Sequence, residues 1–329
     1  MIIKLRAILF GMTVGFALAA CSDGSNSNAD TVDTGFRLQG CADTGTCASN
    51  PPLTIGGERP AMVQIPSNYD NNTRYPLVMV LHGRGVDGYI QAAYMGLLPR
   101  VDSHQFILLY PDGLTIEGQK QWRFAPACCD TQQEEEEDTA DITDASDTSD
   151  VSDVGYLSGL IEEAAATYSI DVERIGLIGH SSGGFMSLTM ACEASHLVTS
   201  LVNLAGSTFQ DLQRCQPAAE QVSVLTVHGD LDDTVLYEGV EGGYLSAPAV
   251  ADRYAMLAGC DVSNPVSKSD FDLVGNIDGA ETSRISWSNC LQGTEVEFWT
   301  MNGGPHIPGP WVPEGLDAFV DWLLDHRRN

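Results

Sequence analysis

Short apolar runs alternate with helix-like segments along most of the chain. The runs are rich in Val, Ile, Leu and Phe and are bounded by Gly, Pro, Asn or Asp. Such runs are typical of strands buried in a parallel sheet, and the segments between them are typical of crossover helices. The pattern predicts an α/β fold with a mostly parallel central sheet flanked by helices. The predicted strands occupy residues 61–66 and 75–83 and begin near residues 106, 174, 200, 222 and 294.

Two helices are marked clearly by their apolar spacing. Residues 153–168 form the first, with Asp153 as a candidate N-cap. Residues 315–329 form a closing helix, with Arg327 and Arg328 placed to interact with the negative end of the helix dipole. Each predicted strand ends in Gly, His, Asp or Ser. Because open α/β sheets place their sites at the carboxyl ends of the strands, a site is expected there.

The first 51 residues do not have this pattern. Lys4 and Arg6 precede an apolar run over residues 7–17 that is too short to span a bilayer, which predicts an export signal at residues 1–20. The sequence LAAC ending at Cys21 resembles the lipobox of bacterial lipoproteins, in which the cysteine carries the lipid; the alternative is an ordinary cleaved signal. Residues 21–51 are rich in small polar residues and predict a disordered tether. Residues 52–329 then form a single domain, with no internal repeat.

Eight cysteines follow Cys21. An even number in an exported chain predicts disulfides, although eight cysteines allow 105 pairings. A structural zinc site is the alternative, but no C-x-x-C pair accompanies a suitably spaced pair of histidines, so no metal site of this kind is predicted.

The net charge of −29 argues against a nucleic-acid partner, because phosphates would be repelled. Residues 130–153 contribute eleven acidic and no basic side chains. We interpret this acidic insert as a solvated surface loop that would disfavour anionic substrates if it borders the site. Calcium binding is the alternative interpretation, although the glycine turn of an EF-hand loop is missing.

A candidate nucleophile lies in the sequence GHSSGG at residues 179–184. Ser181 follows an apolar strand and precedes a helix-like segment, which is the setting of a nucleophile elbow. The turn is so sharp that a Cβ at Gly179 or Gly183 would strike the neighbouring backbone. The alternative is a glycine-rich bend without chemistry, which composition alone could produce.

A serine hydroxyl needs a base, and the base needs an orienting carboxylate. In this fold the chain order is serine, acid, histidine. Of the histidines after Ser181, only His306 lies in a glycine-rich loop after the last predicted strand. The other three are His196 in a helix-like stretch, His228 at a strand end before the acid candidates and His326 near the end of the chain.

The sequence VHGDLDDTV offers three acids after the strand that follows the serine. The spacing H-G-x-x-D-x-x-V favours Asp232, with Asp233 as the first substitute; the acids that are not used, Asp230 among them, would cap turns. Oxyanion donors are predicted at the backbone N–H of Ser182 and, after the strand ending in His82-Gly83, of Arg84. Trp122, Phe124 and Trp311 are candidates to line a substrate pocket, although core packing would explain each of them equally well.

With these residues identified, most of the segment 52–329 resembles the esterase family that includes polyhydroxybutyrate depolymerases, LpqC-type lipoproteins and feruloyl or acetylxylan esterases. The resemblance rests on an ordered set of motifs: PLVMVLHGRG, YPDG, QWRFAPACCD, IGLIGHSSGGFMS, VLTVHGDLDDTV and GGPHIPGPW. It implies the α/β-hydrolase fold, a catalytic triad of Ser181, Asp232 and His306, and no cofactor.

The same resemblance implies a disulfide between Cys260 and Cys290, and bridges that draw Cys192 and Cys215 towards Cys128 and Cys129. Two departures from the family limit it. The separate polymer-binding domain of many extracellular depolymerases is not visible, and the acidic insert is unusual.

The sequence therefore predicts an exported serine carboxylesterase, periplasmic or at the cell surface of a bacterium, that contacts the membrane only through its lipid anchor. Its substrates are expected to be polyhydroxyalkanoate-type polyesters or oligomers, or feruloyl and acetyl esters. A monomer is expected. The alternatives are a serine peptidase of the same fold and a non-catalytic surface binding lipoprotein.

Overall fold

All seven predicted strands are present in the computed structural model, which describes residues 37–124, 152–208, 210 and 220–328. The predicted export signal, Cys21 and the acidic insert up to residue 151 lie outside the described residues. None of the helices among the described residues has the length and hydrophobicity of a membrane-spanning segment.

The described elements alternate between strands and helices. The helices are α1 (Cys41–Thr44), α2 (Gly88–Tyr94), α3 (Leu97–His104), α4 (Val154–Thr167), α5 (Ser182–Glu193), α6 (Ala247–Leu257) and α7 (Pro313–Asp325), with a 3₁₀ turn at Leu291–Gly293. The strands are β1 (Thr54–Ile55), β2 (Ala61–Gln64), β3 (Tyr75–Leu81), β4 (Ile107–Tyr110), β5 (Leu114–Ile116), β6 (Gln119–Gln121), β7 (Ile170–His180), β8 (Ser200–Leu204), β9 (Ser223–Gly229), β10 (Val266–Phe271), β11 (Thr282–Trp287) and β12 (Val296–Met301).

One large sheet organises the domain. Its strand order is β1-β2-β4-β3-β7-β8-β9-β12-β11-β10, and β5 and β6 form a separate two-stranded ribbon. The six strands from β4 to β12 are parallel to their neighbours, and the two strands at each edge are antiparallel. Strands β3, β7, β8 and β9 are buried along their whole length apart from one position in β7, as expected for strands covered on both faces. The predicted fold class is therefore confirmed.

Helices cover both faces of this sheet. On one face, Leu77 and Met79 of β3 pack in a core that includes side chains from α4, α5 and α6. On the other face, Val78 and Val80 of the same strand pack in a core with side chains from α2, α3 and α7. Alternating side chains of a strand point to opposite faces, so each central strand contributes to both cores.

The predicted tether extends too far, because residues 37–51 are part of the folded domain. Leu38 is buried in the core, and α1 is closed by a disulfide between Cys41 and Cys47. Small polar residues predicted disorder here, but the disulfide closes the segment on itself, and the buried Leu38 and a hydrogen bond from the N–H of Ala48 to the carbonyl of Thr167 join it to the domain.

Two predicted helix ends differ in detail. Asp153 occupies the N-cap position of α4 without capping it; its carboxylate accepts a hydrogen bond from the N–H of Arg123 and pairs with Arg59. Helix α7 ends at Asp325, so Arg327 and Arg328 lie beyond the helix. Arg327 pairs instead with Asp171. Long-range partners outcompete the local helix dipole at both ends.

Candidate active site

Ser181 lies at the sharp turn between β7 and α5. Its backbone has φ 56° and ψ −123°, a conformation that is costly for a residue with a side chain. The N–H of Ser181 donates to the carbonyl of Leu204 at the end of β8. A Cβ on Gly179 would lie 2.1 Å from the carbonyl oxygen of Gly183, and a Cβ on Gly183 would lie 2.1 Å from that of Leu81. The turn therefore requires glycine at both positions, as the sequence predicts.

The structure brings His306 and Asp232 to this serine. His306 Nε2 lies 2.9 Å from Ser181 Oγ, and His306 Nδ1 lies 2.8 Å from Asp232 Oδ2. Asp232 follows β9 and His306 follows β12, and these strands are parallel neighbours. Residues that are far apart in the chain therefore meet at the carboxyl edge of the sheet, as expected for an open α/β fold.

The carboxylate of Asp232 is buried and fully hydrogen-bonded. Oδ1 accepts from the backbone N–H groups of Thr234 and Val235, each at 2.9 Å. Oδ2 accepts from His306 and lies 3.1 Å from His228 Nε2. Burial raises the pKa of Asp232, but the hydrogen bonds from His228, His306 and Thr234 outweigh it and leave the pKa well below its usual range. Asp232 is therefore an anion that can orient and stabilise an imidazolium. Asp230 and Asp233 are exposed.

The two predicted oxyanion donors belong to segments that adjoin the serine. Ser182 is the first residue of α5, where backbone N–H groups have no acceptor within the helix. The loop after β3 approaches closely, since a Cβ on Gly83 would lie 3.5 Å from the Cβ of Ser181. The N–H of Gly83 donates to Gln91 Oε1 at 3.1 Å, which leaves the next N–H, that of Arg84, as the candidate donor of this loop.

Buried His82 anchors this loop from below. Its Nδ1 donates to the carbonyl of Gly83 at 2.7 Å, and its Nε2 accepts from the N–H of Gly113 at 2.8 Å. Burial lowers the pKa of His82, which favours this neutral form. The β5–β6 ribbon adds a second anchor, because the carbonyl of Lys120 accepts from the N–H of Gly85 at 2.9 Å.

Sequence reasoning missed two histidines that touch the candidate triad. His228, which the sequence offers only as a candidate base, contacts the carboxylate of Asp232 and also the carbonyl of Val235 at 2.8 Å. His180, inside the GHSSG sequence, has its Nε2 2.8 Å from the carbonyl oxygen of His306. The H-G-x-x-D and G-H-S spacings were visible, but the partners of these rings were not.

The three aromatic residues predicted near the pocket make packing contacts. Trp122 is buried and donates through Nε1 to the carbonyl of His82 at 2.8 Å. Phe124 stacks on Phe185 with ring centroids 5.4 Å apart. Trp311 packs against the rings of Tyr94 and Phe319. Core packing accounts for these positions, and a role in substrate binding stays a prediction.

A disulfide joins Cys260 and Cys290, which is the pairing that the family resemblance implies. Cys192 is also disulfide-bonded. Cys128, Cys129 and Cys215 lie outside the described residues. Among the residues that are described, no cluster of His, Cys, Asp and Glu could hold a metal ion. The calcium alternative for the acidic insert concerns residues that lie almost entirely outside this part of the chain.

Known esterases are similar to the chain in sequence. The family model described as "Putative esterase" matches residues 53–210. Feruloyl esterase D of Neurospora crassa is 23% identical over 295 residues, which cover 85% of this chain and 86% of that protein. Probable feruloyl esterase C of Aspergillus terreus is 26% identical over 308 residues, which cover 88% and 95% of the two chains. The chain spans 34% of the bifunctional acetylxylan esterase/xylanase XynS20E of Neocallimastix patriciarum, at 24% identity.

Solved structures agree with the architecture. The acetyl xylan esterase from Aspergillus awamori matches with a TM-score of 0.58 and 13% identity, over 82% of this chain and 97% of that one. A thermostable esterase matches with a TM-score of 0.53 and 17% identity, over 84% of this chain and 62% of that one. The fold is that of the α/β-hydrolases. Within that class, the chain is a carboxylic ester hydrolase that resembles the esterases named above.

Proposed function

We propose that the chain is a serine carboxylesterase that uses Ser181, His306 and Asp232 as its triad and acts on feruloyl or acetyl esters. The observation that carries the proposal is the continuous chain of hydrogen-bond distances, 2.9 Å from Ser181 to His306 and 2.8 Å from His306 to Asp232. The substrate class is supported by the relatives, which are named feruloyl and acetylxylan esterases.

In the proposed reaction, His306 Nε2 removes the proton from Ser181 as Oγ attacks the ester carbonyl. Asp232 holds the proton of Nδ1 and stabilises the imidazolium that forms. The N–H groups of Ser182 and Arg84 stabilise the tetrahedral oxyanion. His306 then protonates the leaving alcohol. Water, activated by the same imidazole, hydrolyses the acyl-enzyme and restores the free serine, and no cofactor is needed.

Two adjacent serines offer a matched test of the nucleophile. Ser181→Ala should lower hydrolysis of p-nitrophenyl butyrate by at least about a thousandfold. Ser182→Ala keeps the backbone N–H and should retain most of the activity, because the hydroxyl of Ser182 has no hydrogen-bond partner in the described structure. Equal activity of wild type and Ser181→Ala would refute the proposed nucleophile.

The substrate class needs a direct comparison. Purified protein is assayed with methyl ferulate, acetylated xylan and hydroxybutyrate oligomers, the last because the family resemblance also implies polyester substrates. We expect cleavage of methyl ferulate or acetylated xylan. Turnover of hydroxybutyrate oligomers alone would show that the feruloyl and acetyl assignment is wrong while leaving the triad intact.

We also propose that the protein is exported and anchored by a lipid on Cys21. Disulfides at Cys41–Cys47 and Cys260–Cys290 support an oxidising compartment. In a bacterial host, the wild-type protein should incorporate radiolabelled palmitate and sediment with membranes. Cys21→Ser should do neither. Incorporation of label by Cys21→Ser would contradict the anchor.

A further inference from the structure

The candidate triad has a buried neighbour whose position the triad itself does not explain. His180 is the last residue of β7 and directly precedes Ser181. Its Nε2 lies 2.8 Å from the carbonyl oxygen of His306, and the two imidazole rings are 5.0 Å apart between centroids. The contact joins residues that are 126 positions apart in the chain.

The partner of this bond determines the state of the His180 ring. A carbonyl oxygen can only accept, so Nε2 must carry the proton. Burial lowers the pKa of His180, and the hydrogen bond to His306 raises it by less, which leaves the pKa at about 4. The imidazole is therefore neutral at neutral pH. Its Nδ1 faces the loop after β3, since a Cβ on Gly83 would lie 3.3 Å from that atom. His180 Nε2 is thus occupied and does not compete with His306 as a base.

The loop that carries His306 needs such an anchor. It contains Gly303, Gly304 and Gly309, which restrict the backbone little. Other contacts hold its flanks: the carbonyl of Gly304 accepts from the N–H of Leu231 at 3.1 Å, and that of Pro308 accepts from the hydroxyl of Tyr94 at 2.8 Å. His180 holds the peptide group of His306 itself.

We infer that His180 is a positioning residue, whose Nε2–H bond to the carbonyl of His306 keeps that imidazole within hydrogen-bond distance of Ser181. His180 is joined to the nucleophile Ser181 by a peptide bond and to the base His306 by this hydrogen bond. The inference rests on the proposed function of the triad. A displacement of about 1 Å between reacting groups can lower the rate a hundredfold, so this bond should affect turnover more than substrate binding.

Two substitutions of equal length separate the hydrogen bond from packing. His180→Gln places an amide N–H near the position of Nε2. His180→Met has a side chain of similar length, suits a buried site and lacks the donor. We expect His180→Gln to keep kcat within about fivefold of wild type, and His180→Met to lose about 10- to 100-fold in kcat with KM changed less than about threefold.

A fluorophosphonate probe gives a second readout that does not depend on the ester. Its phosphorus is attacked by Ser181 Oγ, fluoride leaves, and His306 takes the serine proton, so the rate of labelling reports the base. The labelling rates should follow kcat in the order wild type, Gln, Met, at a temperature below the melting transition of all three. Equal labelling rates for His180→Gln and His180→Met would overturn the inference. So would a loss of kcat/KM in His180→Met that comes from a raised KM with kcat unchanged. A wild-type protein that is not labelled would instead indicate failure of the proposed triad.

Discussion

The most demanding test of the proposed site is Asp232→Asn, which keeps the shape of the side chain and removes its charge. Oδ1 is held by two backbone N–H donors, so the amide oxygen must take that position. The amide nitrogen then faces His306 Nδ1 and His228 Nε2, which both donate to the carboxylate in the wild type. The clash between the amide N–H and the N–H of His306 Nδ1 is removed if His306 carries its proton on Nε2 instead. That nitrogen then faces Ser181 as a donor and cannot act as a base.

The size of the effect follows from this change of tautomer. A serine hydrolase with the wrong tautomer loses about 10⁴-fold in kcat, and we expect a loss of that order for Asp232→Asn with little change in KM. A buried donor left without its acceptor should also lower the free energy of unfolding by about 1–3 kcal/mol.

The neighbouring acid provides the control. Asp233 is exposed and accepts only a hydrogen bond from the hydroxyl of Thr234 in the described structure. Hydrolysis of p-nitrophenyl butyrate by Asp233→Asn should stay within about twofold of wild type, as for most exposed substitutions. A loss smaller than tenfold for Asp232→Asn, or an equal loss for both variants, would refute the assignment of the acid.

Three further predictions concern stability. Gly183→Ala should lower the melting temperature and abolish activity, since its Cβ would lie 2.1 Å from a backbone oxygen. Gly155→Ala, in open space on α4, should raise the free energy of unfolding by about 0.5–1 kcal/mol. A higher melting temperature for Gly183→Ala than for Gly155→Ala would contradict this prediction. Between pH 6.5 and about 4 the unfolded chain protonates His180 while the folded chain does not, so the free energy of unfolding falls as the pH falls. The loss amounts to about 2 kcal/mol at pH 4.5. In chemical denaturation, the free energy of unfolding of His180→Gln should therefore fall less than that of the wild type between pH 7 and 4.5. Replacing both Cys260 and Cys290 by alanine should lower the free energy of unfolding, measured by chemical denaturation, by about 3 kcal/mol. An unchanged free energy of unfolding would show that the bridge does not constrain the unfolded chain.

The local pattern was sufficient for the centre of the sheet. Strands β3, β4, β7, β8, β9 and β12 were predicted because central parallel strands are buried on both faces and appear as continuous apolar runs between turn residues. The elbow around Ser181 was predicted for a related reason: its steric demand falls on Gly179 and Gly183, which are visible in the sequence.

The edges of the fold were less accessible. Strand β10, with the sequence VSKSDF, is exposed at five of its six positions and has no apolar run to mark it. It is a strand because β11 offers backbone partners, a property of the neighbour rather than of the segment. The same applies to residues 37–51, whose composition predicts disorder but which are ordered in part by contacts with distant residues, among them the buried Leu38 and the hydrogen bond from Ala48 to Thr167.

The sequence by itself determined which residue types stand at strand ends, and therefore which serine, acid and histidine could meet. Only the tertiary structure decided what surrounds them. His228, near the end of β9, contacts Asp232 four residues further on, and His180, at the end of β7, contacts the carbonyl of His306; the spacing shows neither the direction nor the partner of these rings. The reason is physical: a hydrogen-bond partner is chosen by distance and burial in the folded chain, and residues 126 positions apart acquire both only when the parallel strands align their ends.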